Sequence, residues 1–303
     1  MKVKVLGSAA GGGLPQWNCA CRNCRAARAG LLPSRSVAAI AVSANDGRWV
    51  LVNASCDIGR QVASAPDLAP HDGRKSPVAA LLLTDANIDH TAGLLELRQA
   101  ESCFTYSTRL VQDTLCSAPM FAPFARADKR WRSFVAHDDP VRIDVAEAPN
   151  LRIAALAVPG LLPSYAGGSR KAGATVAYLF EHGDARLVYA PIFLALEGPL
   201  RKELDHAEAV FLDGTCWTDD EMVELGLGAR TARAMGHQPI WGEGGSLHAS
   251  QHLSARHRYY THVNNSNPIL DPSSEQAETL RHSGFAVADD GLEISLDGNQ
   301  SKA

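Results

Sequence analysis

Polar and apolar residues alternate over residues 2–6, the period of a half-buried strand. That run opens into Gly7-Ser8-Ala9-Ala10-Gly11-Gly12-Gly13, a stretch free to take backbone angles that side chains forbid. Strand patterns recur over residues 37–43 and 49–53, with Asn45-Asp46-Gly47 as the hairpin turn between them, and over 78–84. Further strands are predicted over 151–158, 175–181, 185–190, 209–213 and 259–263, and helices over 93–100, 218–225 and 273–282. Hairpin-joined strands near the start and strand–helix units later point to an α/β (α+β) architecture of stacked sheets covered by helices on both outer faces. With no internal repeat and no Pro/Gly/Ser linker long enough to separate domains, one domain over 1–303 is expected. Residues 117–139, with Pro119, Pro123 and Trp131, read as a loop-like insertion and a candidate lid.

Composition narrows the function classes. A chain of 303 residues that is 46% hydrophobic and 20% charged can bury a sizeable core. Its 29 basic and 33 acidic residues are well mixed and leave a net charge of −4, which argues against nucleic-acid or anionic-membrane partners. No apolar run reaches the roughly 18 residues of a membrane span, and the opening Met1-Lys2-Val3-Lys4-Val5-Leu6-Gly7 is too short for a signal-peptide core, so a cytoplasmic location is expected.

Of the seven cysteines, Cys19, Cys21 and Cys24 lie within six residues, in a loop over about residues 8–24. Three soft sulfurs from one tight loop supply most of a tetrahedral zinc shell, so C-x-C-x-x-C reads as a metal clasp whose fourth ligand is open. Cys56, Cys103, Cys116 and Cys216 are scattered and read as ordinary thiols.

The apolar run over residues 78–83 ends in Thr84-Asp85-Ala86-Asn87-Ile88-Asp89-His90, which puts oxygen and imidazole donors into one turn, as a divalent metal requires. Any one of these residues alone could be an Asx turn or a helix cap. Asp213 follows another apolar strand, and His262 sits in a third, so ligands from separate strand ends can converge on one metal. His248, His252 and His257 are a weaker set: the i, i+4 spacing lacks the glutamate of H-E-x-x-H and reads as a solvated face. No G-x-S-x-G elbow or phosphate loop is present, and Cys216 is the one candidate nucleophile.

Asp85-x-Asn87-x-Asp89-His90-x-x-Gly93 resembles the H-x-H-x-D-H signature of the metallo-β-lactamase superfamily, whose fold is a four-layer αββα sandwich with metals at strand ends. The stretch from Gly7 to Cys19, Thr84 to Leu94, Asp213-Gly214-Thr215, Trp217 to Met222, Met235-Gly236-His237 and His262 to Leu270 more closely resemble the branch of that superfamily devoted to pyrroloquinoline quinone (PQQ) biosynthesis. Asp85 and Asn87 stand where two histidines of the superfamily pattern would, and Pro159-Gly160-Leu161-Leu162 offers no histidine after its strand. The resemblance thereby leaves Asp89, His90 and His262, joined by Asp213, as the active-site metal ligands. Two imidazoles with carboxylate suit Fe(II), with Zn as the alternative.

The resemblance further implies iron- and oxygen-dependent hydroxylation of the tyrosine-derived ring of a cross-linked Glu-Tyr intermediate. The partners are then a small amino-acid-derived substrate, dioxygen and other enzymes of the pathway. Asp85 and Asn87 would orient His90 or the substrate, and His237 would act as acid/base near the ring. Arg126, Lys129, Arg130 and Arg132 are candidate carboxylate anchors, against the plainer reading of a solvated charge run. Two other functions stay open: a carrier of the cofactor or its precursor towards export to the periplasm, and a zinc-dependent hydrolase. The cysteine clasp resembles the structural zinc site of a related phosphodiesterase branch, where a histidine three residues beyond the last active-site histidine is the fourth ligand; Asn265 occupies that position here.

Overall fold

A computed structural model of the chain describes residues 1–100, 103–121 and 130–297. Fourteen strands form two seven-stranded sheets. The first contains β1 (Lys2–Gly7), β2 (Ala39–Ser43), β3 (Trp49–Val52), β4 (Val78–Leu82), β5 (Phe104–Thr108) and β6 (Trp131–Phe134). The second contains β7 (Val141–Ile143), β8 (Arg152–Ala157), β9 (Val176–His182), β10 (Ala185–Ala190), β11 (Ala209–Asp213), β12 (His257–Thr261) and β13 (Ala286–Val287), and β14 (Glu293–Ser295) returns to the edge of the first. The spatial orders are β14-β1-β2-β3-β4-β5-β6 and β13-β12-β11-β10-β9-β8-β7. Each sheet is half antiparallel and half parallel: β3 to β6 run parallel in one, β10 to β13 in the other.

Alternation along the strands sorts side chains between layers. Val3, Val5, Ile40, Val50 and Leu82 of the first sheet face Ile153, Tyr178, Phe180, Tyr189 and Phe211 of the second in one buried core. The opposite faces are apolar too. Leu51, Leu81 and Leu83 pack with Ile58, Val111 and Leu115 of the helices Ile58–Ala63 and Arg109–Cys116. Leu179, Val188 and Leu212 pack with Leu200, Leu204 and Leu280 of the helices Gly198–Leu204 and Glu275–His282. Strands buried on both faces read as continuous apolar runs, as Val78-Ala79-Ala80-Leu81-Leu82-Leu83 does. The result is the four-layer αββα sandwich.

Two segments depart from expectation. Over residues 93–100 there is no α-helix: Ile88–Thr91 forms one turn and Ala92–Leu94 and Leu97–Gln99 are short 3-10 turns. Gly93 donates its N–H to Ala54 O at 2.8 Å, and a Cβ there would meet Ser55 O at 2.4 Å, so the chain is pressed onto the loop after β3 instead of continuing as a helix. The candidate lid contains β6, whose Trp131 is buried with its Nε1 donating to Ser107 Oγ at 2.8 Å; its described residues belong to the sheet edge and not to the site. Arg126 and Lys129 lie outside the described residues. Among the described residues no helix is long and apolar enough to cross a membrane.

Two buried polar groups hold the segments beside the strand ends. Tyr178 of β9 donates its OH to Leu83 O at 2.8 Å, across the core from the end of β4. Replacing it by Phe leaves that carbonyl bare, and a loss of about 1–3 kcal/mol in denaturant unfolding is expected; an unchanged midpoint would show that the tie adds nothing. Glu221 accepts from Trp217 N and Ser266 Oγ, both at 2.6 Å, and burial pushes its carboxyl up to about 7 from an ordinary 4.5, against those two hydrogen bonds. Between these values the folded chain binds more protons than the unfolded one. Stability therefore falls as pH rises from about 4.5 to about 7, by at most about 1.4 kcal/mol per pH unit. In Glu221→Gln that slope is absent from the pH dependence of unfolding.

Candidate functional site

The parallel strands β4, β11 and β12 end at one rim of the sandwich, and each delivers polar residues just past its last apolar position. After β4 the chain turns through Thr84-Asp85-Ala86-Asn87. Asp85 is fully buried: its Oδ1 accepts from Asn87 N at 2.8 Å, and its Oδ2 faces His90 Nδ1 at 2.7 Å and Thr84 Oγ1 at 2.6 Å. With Nδ1–H given to Asp85, His90 keeps its lone pair on Nε2, a buried atom that has no hydrogen-bond partner.

After β11, Asp213 repeats the device. Its Oδ2 accepts from His237 Nδ1 at 2.8 Å, and its Oδ1 accepts from Thr215 N at 3.0 Å and Thr215 Oγ1 at 2.7 Å. The single hydroxyl hydrogen of Thr215 is thus committed to Asp213, so its oxygen accepts from His262 Nδ1, 2.9 Å away. His262 then presents Nε2, 3.4 Å from Asp89 Oδ2. His262 has φ +54, a left-handed conformation that is uncommon for a side-chain-bearing residue and recurs at functional sites. Its ring lies 5.1 Å from that of His90 and 5.3 Å from that of His237. His237 follows Gly236, whose φ of +102 ends the helix Ala232–Met235 and swings the imidazole inward.

Two sets of donor atoms lie within 4.8 Å of one another here: Asp89, His90 and His262, and Asp213, His237 and His262. His262 belongs to both. Burial opposes charge on His90, but Asp85 and Asp89 outweigh it and raise the imidazole to about 9. Burial alone would raise the Asp89 carboxyl; the charge of His90 and the hydrogen bond from His262 outweigh it and hold the carboxyl below its usual range. A divalent cation satisfies the same demand for positive charge and gives the orphaned His90 Nε2 a partner, so the residues fit a metal. The glycine-rich loop makes room beside it: a Cβ on Gly11 would sit 3.0 Å from Asp89 Oδ2.

Asn87, Asp89, His237 and His262 line a cavity of about 570 Å³, with Leu161, Leu162, Met222 and Met235 as apolar wall and Arg230 in the lining. Asp85, His90 and Asp213 lie behind that surface, in contact with the lining imidazoles or carboxylate. Arg130 and Arg132 do not reach the cavity. Arg130 donates to Ala100 O, while Arg132 lies 4.4 Å over the Phe104 ring and 3.2 Å from Glu147. His248 and His252 are exposed, and His257 lies in β12, all outside the donor clusters. Cys216 is buried, with burial pushing its thiol up, which fits a packing residue and not a nucleophile.

The clasp assembles as well. The Sγ atoms of Cys19, Cys21 and Cys24 form a third donor cluster, with Cys21 capping the helix Arg22–Arg28. Asn265 closes over it, its side-chain amide nitrogen 3.1, 3.4 and 3.3 Å from the three sulfurs in that order. Asn23 holds the segment in place, donating to Asn265 O at 3.0 Å and Asn267 O at 2.9 Å. Burial, reinforced by the neighbouring thiols, pushes Cys24 up to about 11. Thr215 and Arg230 carry no metal-type signature in the sequence; only strand register and loop packing bring them to the site.

Residues 48–263 match the sequence model of the beta-lactamase superfamily domain. The chain is 38% identical over 304 residues to coenzyme PQQ synthesis protein B of Methylobacterium sp. (strain 4-46), covering 98% of this chain and 100% of that protein. It is 39% identical over 305 residues to the protein of the same description from Xanthomonas oryzae pv. oryzae (strain MAFF 311018), with the same coverage. Among solved structures, the Zn(2+)-bound PqqB from Methylobacterium extorquens superposes with a TM-score of 0.90 at 35% identity, over 98% of this chain and 100% of that one. With this identity along nearly its whole length, and the superfamily match spanning both sheets that deliver the site, the chain belongs to the coenzyme PQQ synthesis protein B family within the beta-lactamase superfamily.

Proposed function

We propose that this protein acts in PQQ synthesis as an iron- and oxygen-dependent hydroxylase of a tyrosine-derived ring. The observation that carries the reading is the donor set. Asp89, His90 and His262 bring two imidazole nitrogens and one carboxylate together, while Asp85 and Asn87 occupy the positions that hold histidines in two-zinc hydrolases of the superfamily. Asp89, His90 and His262 would hold a ferrous ion, which would supply dioxygen activation: one oxygen atom would enter the ring and the other would leave as water, with two electrons from an external reductant.

The protein's own residues hold that chemistry in place. Asp85 fixes the ring plane of His90, and Thr215 does the same for His262, so both Nε2 atoms are aimed before any metal arrives. Asp213 serves as the orienting carboxylate of His237, since both of its oxygens are engaged within the protein. His237 keeps Nε2 for the cavity, where it takes up the phenol proton as the ring reacts and returns it afterwards. Asn87, whose side-chain amide has no partner, faces the substrate. Leu161, Leu162, Met222 and Met235 shield the ring from water. At the clasp, Cys19, Cys21 and Cys24 would hold a zinc ion that stiffens the rim, with Asn265 beside the sulfurs at the open fourth position.

Oxygen uptake during turnover of a tyrosine-derived substrate, after anaerobic loading with ferrous iron, tests the assignment. The hydroxylase consumes oxygen with product, and zinc-loaded protein does not; turnover without oxygen would identify a hydrolase, and binding without turnover a carrier. Asp89→Ala/His90→Ala abolishes both metal retention and turnover. His237→Gln keeps the metal, and its rate falls about 10²- to 10⁴-fold. Asn265→Ala surrenders clasp zinc to a chelator faster than the wild type while its active-site metal content is unchanged, as read by metal analysis before and after dialysis.

A further inference from the structure

The cavity has a marked charge asymmetry. Its floor carries Asp89, and its wall is apolar on Leu161, Leu162, Met222 and Met235. Among the described residues Arg230 is the only Lys or Arg in the lining, and it has no hydrogen-bond or ion-pair partner. Its neighbour Arg233 is engaged: its backbone N–H donates to Asp219 at 2.8 Å, its guanidinium lies 3.9 Å from the same carboxylate, and Nη2 donates to Glu243 O at 3.0 Å and Gly244 O at 3.3 Å. Arg130 and Arg132 are likewise committed at the sheet edge. Arg230 sits in the segment between the helices Glu221–Glu224 and Ala232–Met235, the stretch that also brings Met222, Met235 and His237 to the cavity. Arg230 is exposed where it lines the cavity, and its guanidinium is a fork-shaped donor that matches a carboxylate in bidentate fashion.

We infer that Arg230 anchors a carboxylate of the substrate, holding an aromatic acid with its ring over the donor cluster and its anionic edge at the Arg230 side of the cavity. This rests on the reading above that the site takes an amino-acid-derived ring, which carries carboxylates. Of the basic residues in 126–132, the described Arg130 and Arg132 are engaged at the sheet edge, whereas Arg230 lies in the cavity lining. The anchor also sets selectivity, because an apolar ring without an acid leaves the guanidinium unpaired.

Calorimetric titration of the zinc-loaded protein with PQQ, a tricarboxylate, and with its trimethyl ester tests the assignment without depending on turnover. The wild type binds the tricarboxylate more tightly than the ester. Arg230→Met weakens tricarboxylate binding about 10- to 100-fold and leaves ester binding unchanged, while Arg230→Lys recovers part of the loss by keeping the charge without the fork. Arg233→Met binds both as the wild type does. Tricarboxylate binding undiminished in Arg230→Met would overturn the anchor and leave the hydroxylase reading standing. Equal loss of acid and ester would also overturn it, as local disorder in place of charge recognition. A wild type that binds neither compound would remove both the anchor and the substrate class on which it rests.

Discussion

Everything in the site depends on three imidazoles being gripped by the ring nitrogen that faces away from the cavity. Asp85 holds His90, Asp213 holds His237 and Thr215 holds His262, at 2.7, 2.8 and 2.9 Å in that order. Each grip fixes a ring plane and leaves Nε2 as the atom turned away from the gripping residue. The grips are possible because Asp85 and Thr215 lie two or three residues beyond β4 and β11, where parallel strands end together at one rim, and Asp213 is the last residue of β11. Buried carboxylates at such positions are costly without a cation, and the imidazoles supply the partner that makes them tolerable. Removing any one member strands its partner in the interior, so the site and the local fold stand or fall together.

The same rim is stitched to the amino-terminal loop. Ala9 bridges both Val37 and Val263, Ala10 N donates to Val263 O at 2.9 Å, and Gly11 lies against Asp89. Residues 262–267 then serve two centres in succession: His262 turns into the cavity at a left-handed φ, and Asn265, three residues on, covers the cysteine clasp. The segment that carries Asn265 over the cysteine sulfurs is thus the one that positions His262. That mechanical link gives a site remote from the cavity a part in setting its geometry, without any chemistry of its own.

Much of this was legible in the chain. The run Val78-Ala79-Ala80-Leu81-Leu82-Leu83 announces a strand buried on both faces, and the donors crowded after it announce a site, because helix caps rarely need Asp85, Asn87, Asp89 and His90 together. The cysteine trio is legible for the same local reason. What escaped depends on contacts between distant segments. Phe104–Thr108 and Trp131–Phe134 mix polar and aromatic residues without a continuous apolar run, and become strands by pairing with each other towards a sheet edge. The pairing of Asp213 Oδ2 with His237, 24 residues on, is invisible in sequence because it depends on how the two segments pack. Arg230 is one of many arginines until the loop between two short helices sets it in the cavity lining.

Two donor clusters of different character stand on this rim: three soft sulfurs at the clasp, and a mixed imidazole–carboxylate set in the cavity. Anomalous scattering from crystals of the protein purified with its native metals, recorded at the iron and zinc edges, separates the two directly. The account predicts an iron peak among Asp89, His90 and His262 and a zinc peak among Cys19, Cys21, Cys24 and Asn265. Two zinc peaks in the cavity and no iron would contradict it.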